Sequence, residues 1–296
     1  MALFTVTQYL QPLPPFDFSQ SLAFLGMFTP TKNDQTLTGQ LLTRAFMIDR
    51  QVVACQVTFM GTIDEPKLCC TLLSEQSITN SVQQAAFEWV ALYLSLDDDL
   101  RPFYAIAESD PCFTPILRQL YGLHQVRFPT PFENACWAIL TQRTPMPAAQ
   151  MMKQSLIERF GGSMVIGNHR YDAFPSADSM ASASETELEA LLNNHRKAEY
   201  ICAASRAFSQ FDEPSLRTGD YDTVEKSLLA IKGIGPWSAS FVMLRGLGRM
   251  ERIPLGEGRL NEVFARVYGP LAKIEAVAAQ YGQYQGYWAH YLRASA

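Results

Sequence analysis

Leu228-Leu-Ala-Ile-Lys-Gly-Ile-Gly-Pro-Trp-Ser-Ala-Ser-Phe-Val-Met-Leu-Arg245 reads as a helix, a tight Gly-x-Gly turn and a second helix. Gly233 and Gly235 permit a positive φ and a close approach of the backbone to another molecule. Pro236 suits the first turn of the following helix, where its missing N–H is no loss. The amides of Lys232-Gly233-Ile234-Gly235 and the new helix N-terminus would then point outward together. That is a phosphate site built from backbone, and it needs little side-chain charge. A Gly-x-Gly taken alone is equally compatible with a helix–turn–helix corner that binds nothing.

Working outward, more helices flank this stretch. Pro131 to Leu140 starts one that should stop before Thr144-Pro145, because proline disfavours helix at the residue preceding it. Ala148 to Phe160 follows and is ended by Gly161-Gly162. Ser184 and Glu187 have capping-box spacing ahead of a short helix. Arg196–Phe208, Thr223–Ile231 and Trp237–Leu247 complete the series, and no convincing strand stands out after Ser81. Before it the chain reads differently. Arg50–Met60 is rich in β-branched residues, Lys67–Leu73 is a second such run, and Gly61 with Asp64-Glu65-Pro66 marks a turn between them. The expected fold class is α+β: a β-rich domain over 1–112 with one or two helices, then an all-α domain over 113–296.

The chain has 296 residues, 24 basic and 29 acidic, a net charge of −5. That balance argues against a protein whose main task is to coat nucleic acid. The charge is uneven: residues 1–120 carry −6, residues 121–200 carry −1 and residues 201–296 carry +2. A phosphate-facing surface belongs in the later part. The six cysteines show no C-x-x-C and no zinc spacing, and none follows Cys202, so neither a zinc site nor a C-terminal iron–sulfur loop is expected. His124, His169, His195 and His290 are scattered, so no metal is assigned. The opening residues lack a basic and then apolar leader pattern, and no long uncharged apolar run occurs. A cytoplasmic protein is expected.

The hairpin resembles the helix–hairpin–helix of the base-excision DNA glycosylases. The resemblance extends over nearly the whole chain and is strongest to the bacterial 3-methyladenine DNA glycosylase II family. Pro14–Leu25 resembles that family's opening, and Leu96–Tyr104 with Gly122-Leu123 its interdomain region. Pro131–Arg143 resembles the helix leading to its DNA-wedge loop, and Arg196–Ile201 the segment before its hairpin.

The resemblance implies a monofunctional DNA glycosylase that flips alkylated purines from double-stranded DNA and hydrolyses the N-glycosidic bond in base-excision repair. It also implies a monomer, associated with the nucleoid when bound to DNA. The family's catalytic aspartate matches Glu257 in Pro254-Leu-Gly-Glu-Gly-Arg-Leu260. A carboxylate there would stabilise oxocarbenium character on the sugar and orient water. The extra methylene moves its oxygens by about 1 Å, a shift that can cost about 10²-fold; Gly256 and Gly258 allow the backbone to retreat. Glu251 and Glu262 are the nearest other acids, at other offsets.

Trp237 stands where bifunctional relatives carry a lysine nucleophile, so no strand cleavage is expected. Its electron-rich face suits an electron-poor base. Phe241 takes the place of a family tyrosine, and Phe24 matches a pocket aromatic. Tyr287 and Trp288 are further aromatic candidates. Arg143, after Gln142, occupies the wedge position, where it would fill the gap left by a flipped base. Lys232 is placed to contact phosphate. No cofactor is implied beyond a monovalent cation that a hairpin of this type can hold through backbone carbonyls. The alternative reading is a catalytically weak or inactive helix–hairpin–helix protein that binds damaged or distorted DNA.

Overall fold

Five strands form the N-terminal sheet in the computed structural model, which describes residues 3–31, 34–254 and 256–295. Strands β1 (Phe4–Leu10), β2 (Gln35–Thr38), β3 (Leu41–Ile48), β4 (Gln51–Phe59) and β5 (Leu68–Ser74) pair antiparallel in the order β1-β5-β4-β3-β2. The expected turn at Gly61 and Asp64–Pro66 joins β4 to β5. Helix α1 (Phe18–Met27), capped by Asp17, and helix α2 (Asn80–Leu94), capped by Thr79, cover one face. There Val53, Cys55 and Val57 of β4 and Leu68, Cys70 and Leu72 of β5 meet Leu22, Leu25, Val82 and Val90.

The helical part follows. It comprises α3 (Arg101–Ala107), α4 (Thr114–Gln119), α5 (Pro131–Thr141), α6 (Met146–Phe160), α7 (Ala177–Ala181), α8 (Glu185–Leu192), α9 (His195–Phe208) and α10 (Glu213–Thr218). Then come α11 (Tyr221–Leu229), α12 (Pro236–Arg245), α13 (Gly258–Tyr268), α14 (Ile274–Ala278) and α15 (Gln285–Ala294). Helix α5 is buried from Pro131 to Leu140, so it is the central rod on which α9 and α12 pack. A second core joins α3 and α4 to α13, α14 and α15 around Phe103, Phe113, Tyr281, Trp288 and Tyr291.

One expectation is corrected. Between α6 and α7 the chain forms a β-hairpin, β6 (Gly162–Ile166) with β7 (His169–Ala173). It packs Met164, Tyr171 and Ala173 against Ala45 and Ala54 on the other face of the sheet. A Cβ at Gly162 would stand 2.6 Å from Val52 Cγ2, so this close approach requires glycine.

A buried ionic cluster also ties the sheet to the helices. Asp34 accepts from Lys153 at 2.6 Å and Arg44 at 3.2 Å, and Glu133 from the same pair at 2.8 and 3.3 Å. The two cations hold the buried Asp34 carboxyl below the usual carboxylate range despite its burial.

All six cysteines are free, and Cys112 is exposed. Among the described residues no helix is long and apolar enough to cross a membrane, and no group of His, Cys, Asp or Glu is placed to hold a metal ion.

Candidate active site

Helices α11 and α12 meet at the turn read from the sequence, and its two glycines differ. Gly233 takes φ +94°, and a Cβ there would stand 2.3 Å from Tyr200 Cγ. Gly235 has φ −94° and is the N-cap of α12, so it needs no left-handed freedom, contrary to expectation. A Cβ on Gly235 would meet open space. Ile231 and Ile234 anchor the turn in the core, with the Ile234 N–H donating to the Ile231 carbonyl at 3.0 Å. Lys232 is ion-paired with Glu199.

The first turns of α12 form one wall of a cleft of about 410 Å³, open mouth included. Trp237, Ser240, Phe241, Arg245, Glu257 and Arg293 are among its lining residues. Trp237 is 44% exposed, and Phe241, one turn on, stacks beneath it at 5.2 Å with 17° between the ring planes. Glu257 enters from the N-cap of α13, its side chain 19% exposed. No side-chain cap bond ties Glu257 to its own helix, and Gly256, at φ +65°, turns the chain just before it. Its Oε2 lies 2.8 Å from Nε of Arg293 on α15.

The cleft floor was not legible in the sequence. Arg245 is buried; it donates to the Val126 carbonyl and to Nδ1 of His290, and it lies over the Phe24 ring at 4.8 Å. Burial and the neighbouring Arg293 pull its pKa down to about 9, still cationic at neutral pH. His290 is buried and its pKa is pushed well below the ordinary value, so the ring is neutral. Gln125 reaches the floor from the segment between α4 and α5, where its Nε2 donates to the Leu244 carbonyl at 3.0 Å.

Phe24 lies in an adjoining cleft that shares Arg245, His290 and Arg293 with the first, and it stacks on Phe28. Tyr287 and Trp288 face away into the core, bonded to Asp98 and Tyr268. Their helix instead turns Gly286, His290 and Arg293 to the cleft.

The loop after α5 stands beside the hairpin. Gln142 Nε2 donates to the Gly233 carbonyl at 2.8 Å, which joins the two loops. Arg143 is exposed and adopts φ +51°. Buried Lys197 holds the loop from beneath, its ammonium donating to the carbonyls of Ile139, Leu140 and Gln142 at 2.8, 2.7 and 3.1 Å. Those carbonyls include orphans at the helix end. Arg143, Arg196, Tyr200 and Asn194 line a groove at this edge. Arg245 and Arg249 are buried, and Arg252 is paired with Asp222 and Glu225.

Residues 136–280 match the family model of the HhH-GPD superfamily base excision DNA repair proteins. The DNA-3-methyladenine glycosylase of Bacillus subtilis (strain 168) is 28% identical over 240 residues, 79% of this chain and 78% of that protein. In fold, the chain is similar to the 3-methyladenine DNA-glycosylase from Archaeoglobus fulgidus, with a TM-score of 0.74 at 19% identity over 97% of each chain. It is also similar to the Clostridium acetobutylicum 8-oxoguanine glycosylase/lyase solved with dsDNA, with a TM-score of 0.67 at 14% identity over 98% and 97% of the two chains. The hairpin and most of the cleft therefore lie within the stretch that matches the model of the HhH-GPD base excision DNA repair superfamily, and the chain is similar to the 3-methyladenine DNA glycosylases.

Proposed function

We propose that this protein is a monofunctional DNA glycosylase that removes alkylated purines from double-stranded DNA. The observation that carries the reading is Glu257. Its carboxylate stands inside a cleft walled by Trp237 and Phe241, beside a hairpin suited to phosphate, and does not face open solvent. An extruded purine would lie against the open face of Trp237. Glu257 would stabilise positive charge growing on the sugar and hold the attacking water. The N-glycosidic bond breaks with its electron pair leaving on the base, so a cationic alkylated purine departs neutral; water oxygen bonds to the sugar carbon, and the water's proton passes to Glu257 and on to solvent.

The fold itself is shared with a glycosylase/lyase and does not choose between the two chemistries. The choice rests on residue type: Trp237 offers no amine, and no lysine is among the residues that line the cleft. A monovalent cation at the hairpin would use turn carbonyls. Those of Ile231 and Gly233 already accept one hydrogen bond each and keep a second lone pair, so the turn fits such an ion.

The test is chromatography of bases released from methylated duplex DNA. Wild type should release alkylated purines. Glu257→Gln should lower the rate by about 10²-fold or more while it still binds an abasic-analogue duplex. Binding without release by the wild type would instead support the damage-binding reading.

A further inference from the structure

A second cavity, of about 840 Å³ with its open mouth included, lies where the sheet side meets the helical part. It shares no lining residue with the cleft that holds Glu257. Six aromatic rings line it, in two groups. Phe46 of β3 meets Trp89 of α2 at 5.7 Å between ring centroids. Phe132 meets Phe174 at 6.0 Å and Phe208 at 5.9 Å, and Phe208 meets Phe211 at 5.4 Å. Among the described residues no ring of one group packs on a ring of the other, so the cavity has two aromatic walls, one from each part of the molecule.

The charged residues that line it are Glu133, Asp178 and Glu213, with no lysine or arginine among them. Behind the walls Arg44 and Lys153 pair with Glu133 and Asp34, and Arg217 pairs with Glu213. The exposed Asp178 is the surplus charge, so the cavity repels anions. Its other polar atoms already accept hydrogen bonds. Glu133 Oε1 accepts from Arg44 and Lys153, Thr130 Oγ1 from the Glu133 amide, and Ser176 Oγ from the Ser179 amide. A bare ammonium would leave its water shell for groups that are engaged, which is costly. A fully alkylated ammonium needs no hydrogen bond and is attracted by the faces of aromatic rings. The Lys153 ammonium already lies over the Phe174 ring at 5.8 Å, so this wall accepts positive charge within the molecule itself.

We propose that this cavity is a second ligand site and that it takes a small quaternary ammonium, held between the two aromatic walls in the field of Glu133, Asp178 and Glu213. Such a ligand would bridge the sheet side and the helical part, and junctions of this kind are favoured places for small molecules. The site lies at the start of α5, where Pro131, Phe132 and Glu133 line it, while the loop with Gln142 and Arg143 follows the other end of that helix. Roughly 15 Å of helix separates the two. Occupancy therefore does not compete with DNA for the hairpin, and the inference stands apart from the glycosylase reading.

The experiment is calorimetric titration at fixed ionic strength with three probes: choline, the neutral alcohol in which a carbon replaces its nitrogen, and ethanolamine, its unalkylated counterpart. Choline should bind saturably and at least about tenfold tighter than either of the others. Trp89→Leu and Phe211→Leu, one from each wall, should each weaken choline by about tenfold, and Asp178→Asn by about threefold. Trp237→Ala, in the other cleft, should leave choline binding unchanged. Equal binding of the neutral alcohol overturns the proposal, because the cavity would then be merely apolar; equal binding of ethanolamine overturns the choice of an alkylated nitrogen. No saturable binding of choline overturns it outright. So does a loss in Trp237→Ala with none in a folded wall variant, which would place choline in the cleft of Glu257. Should Trp89→Leu not fold, Phe211→Leu and the comparison of probes on the wild type still decide.

Discussion

Arg293 Nε stands 2.8 Å from Glu257 Oε2, so the carboxylate at the cleft is held by a cation that is itself part of the wall. The two side chains come from different helices, α15 and the start of α13. Glycine stands on both sides of Glu257 in the chain, and the ion pair is what fixes its carboxylate.

Arg293→Met should therefore slow base release by about tenfold, because the carboxylate loses its orientation. Binding of an abasic-analogue duplex should change much less. The check is single-turnover release beside fluorescence anisotropy. A faster variant would show that the arginine masks the carboxylate and does not aim it.

Trp237→Ala should weaken excision of alkylated purines by about tenfold, the loss of one stacking face on an extruded base. Trp237→Lys should not produce strand cleavage. An amine nucleophile needs a depressed pKa as well as a position, and this site is half open to water. Borohydride trapping of the lysine variant on DNA would contradict this.

The two hairpin glycines should separate stability from binding. Gly233→Ala forces a Cβ into Tyr200 at positive φ and should lower the melting temperature, at a cost of about 1–3 kcal/mol. Gly235→Val should melt nearly normally, since its φ is ordinary and its surroundings are open. It should nonetheless lose about tenfold or more in DNA affinity, because the side chain stands where a phosphate would approach. Normal affinity in a folded Gly235→Val protein would move the phosphate site off the hairpin.

Stability should fall as the pH drops below about 6.5, in part through His290. Its folded pKa is depressed by burial and by Arg245 and Arg293. Above about 6.5 both states are neutral at this ring; below it only the unfolded chain takes the proton. The loss is about 1.4 kcal/mol per pH unit for such a group until the folded pKa is reached. His290→Phe should therefore lose less stability than wild type between pH 6.5 and 5.5, measured by urea titration. Parallel losses would show that the ring titrates in the fold.

Local rules made much of this legible. The end of α5 followed from Pro145, the start of α8 from Ser184, and the hairpin from its glycines and Pro236. The β6–β7 hairpin escaped notice because its strands are five residues each and bury few apolar side chains, although Gly167-Asn168 is a recognisable turn. Which glycine of a Gly-x-Gly takes positive φ depends on what packs behind it, here Tyr200. Glu257, Trp237 and Phe241 were found because each has a place in a motif. Gln125, Arg245, His290 and Arg293 have none, and they meet at the cleft only through tertiary packing.

The three carbonyls gathered by the Lys197 ammonium bear on how the protein meets a duplex. A loop that ordered itself only on contact would spend part of the binding free energy on lost motion. Here that entropy is already lost when the chain folds. On the proposed function, Arg143 would meet DNA as a preset probe, and more of the energy of contact would be left for drawing a base out of the stack.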